Sequence, residues 1–324
     1  MAYGAGRFVV AGWSGELLAS EDGVNWTRVD ETLIPDPVSV KFVGGQFILN
    51  ARLDGDYLSY VTWTSLDGRT WSRAPTVPPE AAWAVYGAGR WVAQAQKGGV
   101  WISADGRQWE WVQTGIKHRG IVYGNGRFLS MTEDGTLAMS LDGIAWTTHA
   151  APPGDDLASL SFVNDRFLAE QRGGEPGVFG VKPVIAILSS FDGITWEVLP
   201  TSGPGLQPRI ITYGNGRYVA YRPVRVTGQT DPLTGSNIAQ FGLSVSSNLK
   251  DWQDTLVLEV GSPIITFGDF MNGQFMFADT QGSVYTSLDG VHWQVTAPRQ
   301  RRSASWQIAY GNGRYVHAGE MGVL

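Results

Sequence analysis

The sequence holds no cysteine, four histidines in 324 residues, and a charged fraction of only 17%. Without thiols neither a disulfide nor a thiolate metal site can form, and the lack leaves reducing and oxidising compartments equally open. The histidines, His118, His149, His292 and His317, are scattered without ligand spacing, so no metal centre is expected and no cofactor is implied. No stretch approaches the roughly 18 apolar residues of a membrane span, and no charged-then-apolar leader precedes Tyr3. Neither membrane insertion nor a signal peptide is therefore expected. A formal net charge of -6 argues against nucleic acid, because a surface that neutralises phosphates carries a concentrated basic excess. The short basic run of Arg299, Arg301 and Arg302 reads as a solvated loop.

What the chain has in plenty is glycine, 42 residues, and tryptophan, 14 residues, against a background that is 43% hydrophobic. Two short patterns alternate throughout. The first is Ser-x-Asp-Gly-x-x-Trp, as in Ser20 to Trp26, Ser65 to Trp71, Ser103 to Trp109, Ser140 to Trp146, Ser190 to Trp196 and Ser287 to Trp293. A degenerate copy, Ser246-Ser247-Asn248-Leu249 to Trp252, makes the seventh. The second is aromatic-Gly-x-Gly-Arg-aromatic, clearest at Tyr86 to Trp91, Tyr123 to Phe128, Tyr213 to Tyr218 and Tyr310 to Tyr315. Both are turn chemistry between apolar strands, since Asn-Gly and Asp-Gly supply the positive φ values that tight hairpins require. Each unit then has four strands in an up-and-down meander, in the fourth unit at 120–123, 127–132, 136–140 and 146–149. The box tryptophans from Trp26 to Trp293 recur at the period of a four-stranded blade. The expected fold is an all-β propeller of seven four-stranded blades in a single domain, 1–324, with eight blades and an incomplete last one as the alternative.

Ser-x-Asp-Gly-x-x-Trp resembles the Asp-box, or BNR repeat, of sialidase-type propellers, with one residue fewer between Asp and Gly. The resemblance runs along the whole chain. It implies that each Asp caps its own hairpin and each Trp packs between blades. It says far less about activity, because propellers with this box include enzymes, lectins and assembly factors.

The repeat is uneven in one place. From the aromatic after the second pattern to the next box serine there are 12 positions between Phe8 and Ser20, as between Trp91 and Ser103. The same interval is 18 from Phe47 to Ser65, 23 from Phe167 to Ser190 and 28 from Tyr218 to Ser246. All the growth lies between the second and third strands, and strand alternation puts those loops on the face that also carries the connections between blades. Binding residues concentrate on loops that a rigid scaffold positions. The candidates are Arg52, Asp54, Tyr57 and Tyr60 in the second unit, Arg172 and Glu175 in the fifth, and Arg222, Arg225 and Asp231 in the sixth. Trp13 joins them, an aromatic on a turn tip where other units carry Gln96, Glu133 and Thr280.

The chemistry of a sialidase requires an arginine triad, a Tyr-Glu pair and an acid. The family's Arg-Ile-Pro element is missing, and Arg209-Ile210-Ile211 stands in the wrong unit without the proline. No catalytic residue is assigned. Asp54, Glu175, Asp231 and the Asp155-Asp156 pair are conceivable carboxylates for a glycosidase, of a kind that any propeller of this size offers. The function expected first is a non-catalytic recognition module for a glycan or a surface or protein receptor, acting through the long-loop face. A protein-assembly scaffold and a sialidase-like hydrolase or lyase are the alternatives. An extracellular, cell-surface or virion setting, as part of a larger assembly, fits that reading. At the ends, Ser303 to Tyr310 is expected to supply the innermost strand of the first unit as a clasp, and ends lying in mid-repeat suggest a piece of a longer protein.

Overall fold

The computed structural model describes residues 1–12, 16–29, 34, 36–53, 56–152, 157–173, 184–199, 210–230, 237–259, 264–280, 282–297, 305–319 and 322–323. The chain is an all-β propeller with seven four-stranded antiparallel blades, each ordered first to fourth strand as the chain runs. It divides into two compact units, Met1–His149 with Trp306–Leu324, and Ala150–Ser305. The first unit contains blades at 2–28, 37–73, 85–112 and 118–149. The second contains blades at 157–198, 210–257 and 265–297.

The fourth blade shows how the sequence makes a blade. Its strands are His118–Gly124, Arg127–Thr132, Leu137–Ser140 and Thr147–His149, close to the expected bounds. Between the first two, Asn125 and Gly126 take φ of 47° and 75°, the left-handed pair of a two-residue hairpin turn. The box closes the third and fourth strands. Ser140 Oγ accepts from Gly143 N at 2.8 Å and donates to Asp142 Oδ1 at 3.0 Å. Asp142 Oδ1 also accepts from Ile144 N at 2.8 Å and Ala145 N at 2.9 Å, and Trp146 Nε1 donates to Gly143 O at 3.2 Å. The serine hydroxyl, one carboxylate oxygen and the indole N–H are thus bonded within the turn. The degenerate box folds the same way: Asn248 Oδ1 accepts from Lys250 N and Asp251 N at 2.9 Å, and Leu249 takes φ 65° in the glycine's place.

Neighbouring blades lock through glycines of the first strand. A Cβ placed on Gly4 or Gly87 would stand 2.2 Å from the ring of Phe42 or Tyr123 in the following blade, and one on Gly214 would stand 2.1 Å from Phe270. At these three places the aromatic of one pattern therefore sits on the glycine of the pattern before it. A side-chain latch from the second strand accompanies the seat: Arg7 Nη1 donates to Asp67 O, and Gln46 Nε2 to Gly106 O at 3.1 Å.

The clasp expected at the ends is corrected. Ala2–Gly4 itself forms the innermost strand of the first blade, with Ala2 opposite Val9 and Gly4 opposite Arg7, so that edge is already paired. Ser305–Gly311, Arg314–Gly319 and Gly322–Val323 instead form a separate three-stranded sheet, the incomplete eighth member weighed as the alternative. It packs on the first blade as a blade does. Asn312 Nδ2 donates to Gly6 O at 3.1 Å and Glu21 O at 2.7 Å, just as Asn215 Nδ2 donates to Gly273 O at 3.3 Å and Leu288 O at 2.8 Å.

Candidate interaction surface

In the second and sixth blades the inserted residues lengthen the second and third strands. In the second blade Gln46–Leu53 and Asp56–Ser65 pair from Phe47 opposite Ser65 out to Leu53 opposite Asp56. In the sixth, Arg217–Thr230 pairs with Asn237–Ser246 out to Thr230 opposite Asn237. There, among the described residues, the first strand pairs out to Tyr221, opposite Ile210, and the fourth out to Gly242, opposite Val257. In the fifth, Arg166–Arg172 and Val184–Ser190 flank the insertion.

Arg52 and Tyr60 stand directly opposite one another near the base of the second blade's hairpin. Arg52 is drawn towards the chain entering the blade, its N donating to Asp36 O at 3.0 Å and its Nη1 lying 3.5 Å from Asp36 Oδ2. One step inward, Asn50 is fully buried and its Nδ2 donates to Pro79 O at 3.0 Å. That carbonyl opens the short helix Pro79–Trp83, whose Ala81 and Ala82 pack with Ile48 and Val43. Glu80 Oε1 accepts from Gln96 N at 3.2 Å, tying the connector to the third blade's short turn. Trp83 ends the helix with 59% of its surface exposed. Hairpin base, connector and neighbouring turn thus form one braced surface, and Trp83 is its exposed aromatic.

The other predicted residues fare differently. Arg222 is buried, continuing the inward row of Tyr218 and Ala220, and its Nη2 lies 3.7 Å from Asp254 Oδ1. Asp254 is also bound by Ser244 Oγ at 2.6 Å. Tyr221, on the other side of the strand, stacks on Phe241 at 5.1 Å. Arg172 closes its strand half-buried, opposite Val184. Tyr57 and Arg225 lie on the extended strands, their side chains outside the description, and Trp13, Asp54, Glu175, Asp231 and Asp155-Asp156 lie outside the described residues. Sequence reasoning passed over Asn50 and Trp83. Pro78-Pro79 ahead of Glu80 was the available signal, since proline favours the first helical positions.

His118 is buried in the core, whereas His292 is exposed and pairs with Asp289 in its own box turn. His118 Nδ1 lies 2.7 Å from Ser130 Oγ and Nε2 lies 3.1 Å from Thr114 Oγ1, with the Trp146 ring at 4.4 Å. Burial pushes the imidazole down to about 4. Ser130 is fully buried, so a substrate has no path to its hydroxyl. Box carboxylates are held low by the turn itself, Asp192 to about 2 through the amides of Thr195 and Ile194. Among the described residues no cluster of His, Asp and Glu fits a metal ion, and no helix is long and apolar enough to cross a membrane.

The fold has known counterparts. Sqt1 of Saccharomyces cerevisiae is similar over 99% of this chain and 93% of its own, with TM-score 0.60 and 12% identity. BamB of Moraxella catarrhalis is similar over 99% and 91%, with TM-score 0.50 and 12% identity. A streptogramin B lyase is similar over 89% and 91%, with TM-score 0.54 and 10% identity. No protein-family profile matches the chain. No curated protein matches it in sequence. At these identities the likeness speaks for the propeller architecture alone.

Proposed function

We propose that this chain is a protein-interaction scaffold, a non-catalytic propeller of the Asp-box type that receives its partner on the end of the blades carrying the lengthened hairpins. The observation that carries the reading is the second blade's hairpin, which outgrows its first and fourth strands and is braced by Asn50 and the Pro79–Trp83 connector. A rigid, extended element on an otherwise uniform scaffold is suited to binding. Architecture alone does not choose the function, since a streptogramin B lyase shares it. The box geometry supports the Asp-box kinship, because each Asp or Asn side chain is consumed in its own turn.

The test shortens the 46–65 hairpin to the length of the third blade's, Arg90–Gln94 and Val100–Ser103. Crosslinking mass spectrometry on the native assembly is expected to lose the partner crosslinks while the melting temperature holds. Unchanged crosslinks from a folded variant overturn the reading. A finer version, in which the ligand is a glycan, is favoured by Trp83, an exposed indole of the kind on which sugar rings stack. A glycan array blank for the wild-type chain retires that version and leaves the protein scaffold standing.

A further inference from the structure

Ser39, Asn50 and Thr62 form a row across three adjacent strands of the second blade. Ser39 lies directly opposite Asn50, and Asn50 directly opposite Thr62, so the three side chains share one face of the sheet. Asn50 is 0% exposed and Thr62 4%. Each residue carries a buried polar atom without a hydrogen-bond partner: Ser39 Oγ, Asn50 Oδ1 and Thr62 Oγ1. The amide orientation of Asn50 is fixed, because its Nδ2 donates to Pro79 O at 3.0 Å. An acceptor and two hydroxyls are therefore gathered in one buried place.

Orphaned polar atoms in a protein interior are costly, and native structures satisfy them with protein or with ordered water. Side chains directly opposite on neighbouring strands have Cβ atoms about 4.5–5.5 Å apart, a span that one bridging molecule closes. The equivalent row in the fourth blade reads Arg119, Met131 and Leu137, so the polar triplet is particular to the second blade.

We propose that Ser39, Asn50 and Thr62 form a built site for a single internal water molecule, which donates to Asn50 Oδ1 and accepts from the two hydroxyls. Buried waters typically make about three such bonds, and the triplet provides that number. The ligand is neutral and small, because all three polar atoms are closed to bulk solvent and no charged side chain belongs to the row. Its place beneath the Pro79 carbonyl makes the water part of the brace that holds the hairpin base to the connector.

The experiment is a crystal structure of the full chain at a resolution that orders internal solvent, beside the Ser39→Ala, Asn50→Leu, Thr62→Val triple variant. The wild-type map is expected to show one water within about 3.2 Å of Asn50 Oδ1 and of at least one hydroxyl. The triple variant is expected to be dry there. Thr62→Val alone is expected to lower the melting temperature by about 2–4 °C, and adding Ser39→Ala to change it by less than its separate effect, since both act through one molecule. Direct bonding of either hydroxyl to Asn50 with no intervening density overturns the proposal. The wild-type crystal decides this even if the variants do not fold.

Discussion

The Tyr3 ring lies so closely over Gly311 that a Cβ on the glycine would come within 2.3 Å of it. This is the seat seen between Gly4 and Phe42 and between Gly87 and Tyr123, now joining the three-stranded sheet to the first blade. Gly23 repeats the correspondence from the other side: a Cβ there would lie 2.5 Å from Val316, as one on Gly143 would lie 2.5 Å from Val92. Tyr3 Oη adds a donation to Asn312 Oδ1 at 2.6 Å. The three-stranded sheet thus meets the first blade through the same contact that joins the first blade to the second and the third to the fourth.

Glycine at the seat is required by space rather than by backbone conformation. Gly214→Ala forces its new methyl against the Phe270 ring, where a Cβ would stand 2.1 Å away, and both rigid partners must shift. The expected cost is about 1–3 kcal/mol by overpacking. Denaturant unfolding measures it. Gly216→Ala is the control for helix-free turn effects, since a Cβ there meets nothing within 4 Å, although its φ of 76° adds strain of its own. A Gly214→Ala variant as stable as the wild type would argue against a steric seat.

Trp146 connects the box to the core. Its ring lies 4.4 Å from His118 and 6.3 Å from Phe128, and its Nε1 bonds within the turn. Trp146→Ala leaves a cavity beside two rings that the sheet holds in place, and the expected loss is about 3–5 kcal/mol. Thermal or denaturant unfolding reads this directly, and a shift near zero would remove the packing role from the box tryptophan.

These turn and packing roles were legible in the sequence because they repeat: Ser140, Asp142 and Trp146 recur with fixed spacing, and so do the strands between them. Lengthened second and third strands were legible from spacing too. The fate of individual side chains on them was not. Arg222 reads as a surface cation only if the strand stops at Tyr221; once it continues, the two-residue period turns Arg222 to the same buried side as Tyr218 and Ala220. Trp83 was hidden for a different reason, since a connector outside the repeat has no counterpart to be compared with. The terminal clasp failed because three residues, Ala2–Gly4, suffice as an innermost strand, as Val85–Gly87 also do.

Acid sensitivity is expected in two windows. His118 is neutral when folded and its pKa is depressed by burial from 6.5 to about 4. The unfolded chain therefore binds more protons between those values, and stability falls as pH drops from about 6.5 to about 4. Box carboxylates follow below this: Asp192 is depressed from 3.8 to about 2, so its contribution is lost as pH falls through that interval. Melting temperature against pH should show both declines, and His118→Gln should flatten the first while leaving the second. A profile level from pH 6.5 to 4 in the wild type would contradict the buried neutral imidazole.

Tyr86 tests the seating rule at a place where the glycine is missing. Its ring is 54% exposed, whereas Phe42 and Tyr123, at the same place in their patterns, are half-buried on Gly4 and Gly87. The residue ahead of it in the second blade is Val43, buried with Ile48, Val77 and Ala81, where Gly4, Gly87, Gly124, Gly214 and Gly311 stand in their patterns and Val163 and Met271 in two others. Val43 occupies volume that a glycine leaves open, and Tyr86 lies outside, its ring 5.1 Å from that of Trp91. Val43→Gly opens the seat. Hydroxyl-radical footprinting is expected to show Tyr86 becoming less reactive even as the lost valine packing lowers the melting temperature by several degrees. If Tyr86 stays equally reactive in a folded Val43→Gly variant, something other than residue 43 keeps that ring out.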